Sequence, residues 1–142
     1  EAEENFERAA HYNTRFTGIR SDRAKLYFVA EGWLIEGGYK KAEEDLRYVV
    51  DHNPLDWDAR IGLVNVYQVQ GYFSKALRVL ERGRTWPMPL GRLGLSLLVM
   101  EADLHLKMGN RAGYDALQAQ AKDFAIKNGM MPAPAPAVKA AD

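Results

Sequence analysis

The histidines are the first residues to consider as catalytic or metal-binding groups. The chain has three, His11, His52 and His105, and they lie far apart in the sequence. None belongs to an HExxH motif, in which two histidines one helical turn apart bind zinc. His52 is expected at the C-terminal end of a helix, where a partial positive charge is favourable, so we predict a capping role for it. The histidines therefore predict no metal site.

The serines and glycines also lack the patterns that activate or bind a substrate. Ser21, Ser74 and Ser96 lie outside any nucleophile-elbow pattern. Gly91 and Gly94 are too few for either of the phosphate-binding glycine motifs. Cysteine is absent, which excludes disulfides and thiolate chemistry and is compatible with the cytoplasm and the periplasm alike. We predict that the chain is not an enzyme and uses no cofactor.

The composition is that of an ordinary globular domain, with 142 residues of which 47% are hydrophobic and 27% are charged. Nineteen basic residues balance nineteen acidic ones, so no net charge draws the chain to phosphate backbones or anionic lipid. The longest apolar stretch, residues 93–100, is interrupted by Gly94 and Ser96 and is far shorter than the roughly 20 residues that span a bilayer. We predict neither nucleic-acid binding nor membrane insertion.

Two groups of charged residues are expected on solvated helix faces. In the first, Lys40 and Lys41 lie one helical turn before the acids of the run Glu43, Glu44 and Asp45, which is a spacing of weak surface ion pairs. The second group is basic and could instead bind an anionic partner. It comprises Arg78, Arg82, Arg84 and Arg92.

Apolar residues recur at helical spacing in the first part of the chain. They predict a helix over residues 23–33, with Ser21 or Asp22 as its N-cap. Two glycines at 37 and 38 then break the pattern, and a second amphipathic helix follows from Tyr39 to the residues before Asn53. The two helices form a predicted hairpin.

Two further helix pairs are predicted after residue 55. In the first pair, Asp56 is the predicted N-cap and Gly71 the turn between the helices. The second pair is predicted at about 92–108 and 111–127, with Gly129 as a cap just beyond its last helix. Three consecutive helix pairs thus account for most of the chain.

The central pattern repeats after 34 residues, because residues 37–46 return as residues 71–80 with glycine, aromatic, lysine, alanine and leucine in the same positions. A fixed period of this size is typical of arrays whose units bury their apolar faces by stacking on one another. The repeat therefore predicts an all-α fold built from stacked helix pairs. An ordinary helical bundle with chance self-similarity is the alternative.

The period does not extend to the ends of the chain. The apolar spacing of residues 1–12 is that of a second helix, so we expect 1–22 to be the orphan second helix of a preceding repeat with a long loop. Gly109 follows Gly71 by 38 residues rather than 34. Residues 130–142 are rich in alanine and proline and are predicted to be a disordered tail. We expect the chain to be a segment of a longer array.

These features resemble the tetratricopeptide repeat family, whose 34-residue unit is a helix–turn–helix. In a first full repeat, 23–56, the family's signature positions hold Leu26, Val29, Ala30, Trp33, Gly37, Tyr39, Ala42, Leu46, Val49 and Pro54. In a second, 57–90, they hold Leu63, Tyr67, Gly71, Phe73, Ala76 and Leu80. The resemblance implies a right-handed α-solenoid of stacked antiparallel helix pairs, with about three units and an N-terminal half unit.

The resemblance is imperfect in the second and third units. Arg60 occupies a position that should be bulky and apolar, and Gly83 one that should be alanine. Residues 91–129 are either a divergent third repeat or a capping helix pair, because Glu101, Tyr114 and Gln118 do not fit the signature.

The family binds its partners in a concave groove lined by the first helix of each pair. Carrying the groove positions onto this chain selects Tyr27, Glu31, Leu34, Asp58, Ile61, Asn65 and Gln68. Aromatic, amide and acidic side chains favour recognition of a peptide or protein, although this face could instead be packed by a neighbouring element. Only Asn65 fits the basic clamp that grips chaperone tails in some members, so binding to those tails is not predicted.

The resemblance implies a non-catalytic interaction module that binds a partner protein or peptide in its groove, as a scaffold segment of a longer protein. One alternative is a chaperone or assembly factor of a secretion or cell-envelope pathway. A targeting segment of an enzyme is another, and an RNA-binding helical repeat is opposed by the zero net charge. Exposed ends of the array allow self-association.

Overall fold

The described part of the chain, in a computed structural model, is residues 17–30 and 37–135. Every regular element in these residues is an α-helix, and none is a strand, which confirms the all-α prediction for this part. The helices are α1 Thr17–Ala30, α2 Gly38–His52, α3 Trp57–Val69, α4 Phe73–Gly83, α5 Gly91–Lys107 and α6 Arg111–Lys127. Among them we find no helix with both the length and the apolar character that a membrane crossing requires.

The helices are divided between two compact units, which separate between Met88 and Pro89. In the first unit, α1 packs on α2, α2 on α3, and α3 on α4, and α1 also contacts α3. In the second unit, α5 packs on α6. The first unit therefore contains two helix pairs around one core, and the second contains the third pair.

The core of the first unit is formed by residues that the 34-residue pattern marks as apolar. Ala42 and Val49 of α2 and Ala76 of α4 are fully buried. Leu63 and Tyr67 face the same core from α3. Small side chains at the helix contacts allow close approach of the backbones, and larger ones fill the space between them. The sequence pattern thus located these core positions correctly.

Two of the predicted helix caps are present. The carboxylate of Asp56 accepts a hydrogen bond of 3.0 Å from the backbone N–H of Ala59, which satisfies a donor at the start of α3. Gly129 has a φ of 69° and follows α6, and the N–H of Met130 donates to the carbonyl of Ala125 at 2.8 Å. That bond is the one that closes a Schellman-type helix end. His52 is also placed as predicted, with Nδ1 2.8 Å from the carbonyl oxygen of Tyr48 in the last turn of α2.

The first helix begins earlier than the sequence predicts. It starts at Thr17, so Ser21 and Asp22 lie inside α1 and neither is its N-cap. The early start places Arg20 against α2, where its guanidinium lies 3.8 Å from the ring centroid of Tyr48. Residues 17–22 are therefore helical and not part of a long loop. The orphan helix predicted at residues 1–12 lies outside the described part of the chain.

Asp45 also departs from its predicted place on a solvated face. It is only 2% exposed, and Arg23 of α1 donates to it through both Nε, at 2.6 Å, and Nη2. Arg20 adds a contact of 3.3 Å to the same carboxylate. A buried carboxylate needs such partners because its loss of hydration is otherwise uncompensated. Asp45, predicted to be a surface charge, therefore links α1 to α2.

In the second unit, α5 and α6 enclose a separate apolar core. Leu98, Ala102, Leu117 and Ala121 form its centre, with Tyr114 and Phe124 among the residues packed around it. The two helices match the predicted ranges to within one residue. Asn110, which lies between the two predicted helices, caps α6 by accepting a 2.9 Å bond from the N–H of Gly113.

Candidate functional site

A groove between α1 and α3 is the first candidate site. It holds a cavity of about 220 Å³ to which α2 contributes one residue of the floor. The α1 side presents Ser21, Lys25 and Phe28, which lie at the i, i+4, i+7 spacing of one helix face. The remaining lining residues are Ala24 of α1, Leu46 of α2, and Asp58, Gly62, Asn65 and Val66 of α3. The floor is apolar, and the polar and charged groups stand on both walls.

Two of the predicted groove residues, Asp58 and Asn65, line this cavity and are exposed. Ile61 and Gln68 lie on the same helix but are partly buried and do not line it. Glu31 and Leu34 lie outside the described residues. Of the four predicted groove residues on α3, two therefore lie at the cavity.

Tyr27 is not available to a partner, because only 3% of it is exposed. On the α2 side, the Nζ of Lys41 lies 5.2 Å from the centroid of the ring. The guanidinium of Arg23, on α1, lies 5.9 Å from the same centroid. Phe28 faces the groove in its place. Consecutive helical residues point about 100° apart, so an error of one position moves a side chain from the groove to the core. The groove side of α1 is consequently aromatic, as expected, but through Phe28.

A second and larger cavity, of about 580 Å³, lies between α2 and α4 with α3 at its base. Two carboxylates, Glu43 and Asp51, line it together with the apolar side chains of Val50, Val79 and Trp86. Five cationic side chains also line it: Arg47, Arg60, Lys75, Arg78 and Arg82. The chain as a whole is neutral, so this excess of positive charge is a local property of the cavity.

Arg60 forms part of the base of this second cavity and is only 3% exposed. Its Nη1 donates to the carbonyl of Val79 at 2.9 Å and its Nη2 to the carbonyl of Pro54 at 3.3 Å. Its Nε is buried and has no hydrogen-bond partner. Desolvation lowers the pKa of Arg60, and the charge of Asp51 acts in the opposite direction. A guanidinium keeps its proton in proteins, so the base of the cavity is a buried positive charge.

Arg60 and Gly83, the two departures from the repeat signature, are in contact with each other. A Cβ atom on Gly83 would lie 2.9 Å from Cδ and 3.1 Å from Nε of Arg60, and 3.0 Å from the ring of Trp57. The absent side chain at position 83 therefore leaves the space that the long side chain of Arg60 fills. The sequence showed two unrelated exceptions, and the structure shows that they compensate each other.

Tyr67 and Glu43 form a hydrogen-bonded polar part of the lining of this cavity. The hydroxyl of Tyr67 donates to Oε1 of Glu43 at 2.8 Å. Burial, reinforced by this hydrogen bond and by the charge of Glu43, raises the pKa of Tyr67 to about 12. Arg47 lies 3.6 Å from the same carboxylate oxygen. The negative charge of Glu43 is thus already partly balanced.

Half of the basic patch considered from the sequence is found at this cavity. Arg78 and Arg82, one helical turn apart on α4, line it and are exposed. Arg84 does not line it, and Arg92 belongs to the second unit. Arg60 could not be grouped with them from the sequence, because only the folded chain brings α3 against α4. No protein-family model matches the chain, and no curated protein matches it significantly.

Proposed function

We propose that this chain is a non-catalytic protein–protein interaction module that binds an extended peptide segment of a partner in the groove between α1 and α3. The observation that carries the proposal is the cavity in which Asp58 and Asn65 stand over an apolar floor. These two residues are also among the groove positions that the family resemblance selects. The proposal does not require any residue to act as an acid, base or nucleophile.

The groove offers complementary contacts for an extended peptide. The side-chain amide of Asn65 can both donate to and accept from a peptide backbone, which is how an amide holds a strand-like ligand. Phe28, Leu46 and Val66 supply an apolar floor for one side chain of the ligand. Lys25 and Asp58 put charges of opposite sign on the two walls. The expected ligand is therefore an extended segment with an apolar side chain flanked by a basic residue that meets Asp58.

The arrangement of the helix pairs supports the further proposal of a tetratricopeptide-like, right-handed α-solenoid. Gly37, Gly71 and Gly109 each have a positive φ, of 73°, 79° and 78°, and each lies shortly before the second helix of a pair. Such a turn conformation is natural for glycine, which lacks a Cβ atom. In addition, α1 contacts α3, so the first helices of successive pairs are neighbours. In an array of this kind those helices line the concave face.

Site-specific photo-crosslinking tests the groove directly. A photoreactive amino acid placed at Lys25, which is exposed on the groove wall, should give a discrete adduct in native lysate. The same amino acid at Gln120, exposed on α6, is the control position and should not give that adduct.

The substitutions Asn65→Ala and Asp58→Ala should abolish the adduct without lowering the melting temperature by more than a few degrees, since both side chains are exposed. An adduct that survives both substitutions would contradict the assignment of the groove. Adducts to many unfolded clients, in place of one folded partner, would favour the chaperone alternative.

A further inference from the structure

We infer that the cavity between α2, α3 and α4 is a second binding site, which takes a carboxylate of an acidic peptide segment against the buried guanidinium of Arg60. This site is separate from the groove between α1 and α3, because the two are lined by different residues. Its proposed ligand is also different in chemistry. The inference does not depend on the proposed function, and the two are tested separately.

Among the described residues, no carboxylate is bonded directly to Arg60, although the charge of Asp51 acts on it from a distance. Its two hydrogen bonds go to neutral carbonyl groups. A guanidinium has five N–H donors, and the one on Nε of Arg60 is buried without an acceptor. A buried charge of this kind is costly unless it is paired. An incoming carboxylate would supply both a directly bonded counter-charge and the missing acceptor, with the planar geometry that favours a two-pronged contact.

The charged side chains that line the cavity with Arg60 are mostly cationic. Arg78 and Arg82 lie above it on α4 and are exposed, so they can reach an anion as it enters. Of the two carboxylates in the cavity, Glu43 is already engaged by Tyr67 and lies close to Arg47. The cationic groups of the cavity therefore outnumber its carboxylates, and this excess of positive charge can bind an anionic ligand.

Among anionic ligands, the lining of the cavity favours an acidic peptide. The apolar side chains of Val79 and Trp86 give a neighbouring residue of a peptide a surface to pack on. The volume of about 580 Å³ lies within the range of about 300–1,000 Å³ that is usual for ligand pockets. These features match a short segment in which acidic and apolar residues alternate.

The test measures binding of a fluorescein-labelled hexapeptide of alternating glutamate and leucine to the whole chain, by fluorescence anisotropy. The matched probe replaces each glutamate by glutamine. The glutamate peptide should bind at least about tenfold more tightly than the glutamine peptide, because charge-assisted contacts to arginine are lost in the latter. Equal affinity for the two peptides would overturn the inference.

Variants separate this cavity from general electrostatic attraction. Arg78→Gln with Arg82→Gln should weaken binding of the glutamate peptide about tenfold. The control, Arg84→Gln with Arg92→Gln, removes the same charge outside the cavity and should change the affinity less than about twofold. Equal losses in the two double variants would refute a defined site.

Arg60 is tested by replacing it with leucine together with Gly83→Ala, so that the vacated space is refilled. Binding should fall at least as far as in the Arg78 and Arg82 double variant. If this variant does not fold, the exposed pair still decides the question.

Competition distinguishes the source of the anion. A phosphoserine peptide or a short oligonucleotide that displaces the probe more effectively than unlabelled glutamate peptide would contradict the choice of a carboxylate. Asn65→Ala should leave binding of this probe unchanged, because Asn65 lines only the other groove. Failure of the α1–α3 groove in photo-crosslinking and failure of this site are therefore separate results.

Discussion

The contact between Gly83 and Arg60 allows a sharp test of how the first unit is packed. We expect Gly83→Ala, normally a stabilising change inside a helix, to destabilise this protein. The new methyl group would lie 2.9 Å from Cδ of Arg60 and 3.0 Å from the ring of Trp57. The side chain of Arg60 cannot simply move away, because its Nη1 and Nη2 atoms are hydrogen-bonded to the carbonyl groups of Val79 and Pro54.

The magnitude follows from two opposing terms. Replacing glycine by alanine in a helix gains up to about 1 kcal/mol, and less here because Gly83 is the last residue of α4. Overfilling a packed site costs about 1–3 kcal/mol. The clash involves atoms in the middle of an anchored side chain and an indole ring, so the cost should exceed the gain. We expect Gly83→Ala to lower the free energy of unfolding by about 1 kcal/mol.

The same substitution should have the opposite effect when Arg60 is replaced by leucine. Leucine lacks Nε and the two hydrogen bonds that hold the arginine side chain in place, so its Cδ atoms can turn away from the new methyl group. It also restores the apolar and alanine pair that the repeat signature calls for. In the Arg60→Leu background, Gly83→Ala should therefore raise the free energy of unfolding by up to about 1 kcal/mol. A double-mutant cycle then gives a coupling energy of about 2 kcal/mol between the two positions.

The cycle is measured by urea unfolding of the four proteins, followed by circular dichroism and by tryptophan fluorescence. Coincident transitions from the two probes are required, because the chain contains two compact units and two-state behaviour has to be established. The four proteins are compared by free energies of unfolding and not by urea midpoints alone, since a change in the slope of free energy against urea concentration would signal an altered unfolded state. Effects that add to within about 0.5 kcal/mol would refute the proposed compensation.

Three further predictions concern buried groups of the first unit. Asp45→Ala should cost about 3–5 kcal/mol of unfolding free energy, against less than about 0.5 kcal/mol for the exposed neighbour Glu44→Ala, and equal costs in urea unfolding would contradict the buried ion pair. The folded state holds the proton of Tyr67 with a pKa of about 12 against 10.0 for the ordinary side chain, so its contribution is complete below pH 10 and is lost as the pH rises towards 12. Tyr67→Phe should remove this part of the alkaline loss, on the order of 2 kcal/mol, and an unchanged pH profile of unfolding would refute it. Ala42→Glu should unfold the first unit, whereas Ala112→Glu on an exposed face should leave the circular dichroism spectrum unchanged.

The sequence was sufficient to find the helices and the central core. Periodic apolar residues determine which side of a helix is buried, so Ala42, Leu63 and Ala76 could be placed in the core without coordinates. The turns were equally clear, because Asp56 and Gly129 have the residue types that helix ends favour. Such signals are local, and local signals are what a single sequence carries.

The start of α1 could not be predicted in the same way. Residues 17–22 have no apolar stripe, and what draws this segment onto α2 is the ion pair of Arg20 and Arg23 with Asp45. The partners lie more than 20 residues apart, at separations of 25 and 22. In the sequence each of them resembles an ordinary surface charge. The interaction becomes visible only when the two helices are placed side by side.

Two of the groove residues predicted on α3 line the cavity, whereas on α1 the aromatic residue that lines it is one position away from the predicted one. Asp58 and Asn65 belong to a helix whose rotation is set by neighbours on both sides, α2 and α4. On α1, Tyr27 is buried with Lys41 of α2 near its ring, and Phe28 lines the cavity. A rotation of one residue exchanges Tyr27 for Phe28.

Both candidate sites depend on α3, and the spacing of its residues explains how one helix can serve two different ligands. Asp58, Gly62 and Asn65 follow one face, and Arg60, Leu63 and Tyr67 follow another. Positions 58 and 60 differ by two residues, about 200° around the helix axis, so their side chains leave on nearly opposite sides. The polar groups of one face are uncharged or acidic, and the charge on the other is a buried cation. A segment suited to the first face would meet the wrong charge at the second, so we expect the two proposed sites to discriminate between their ligands.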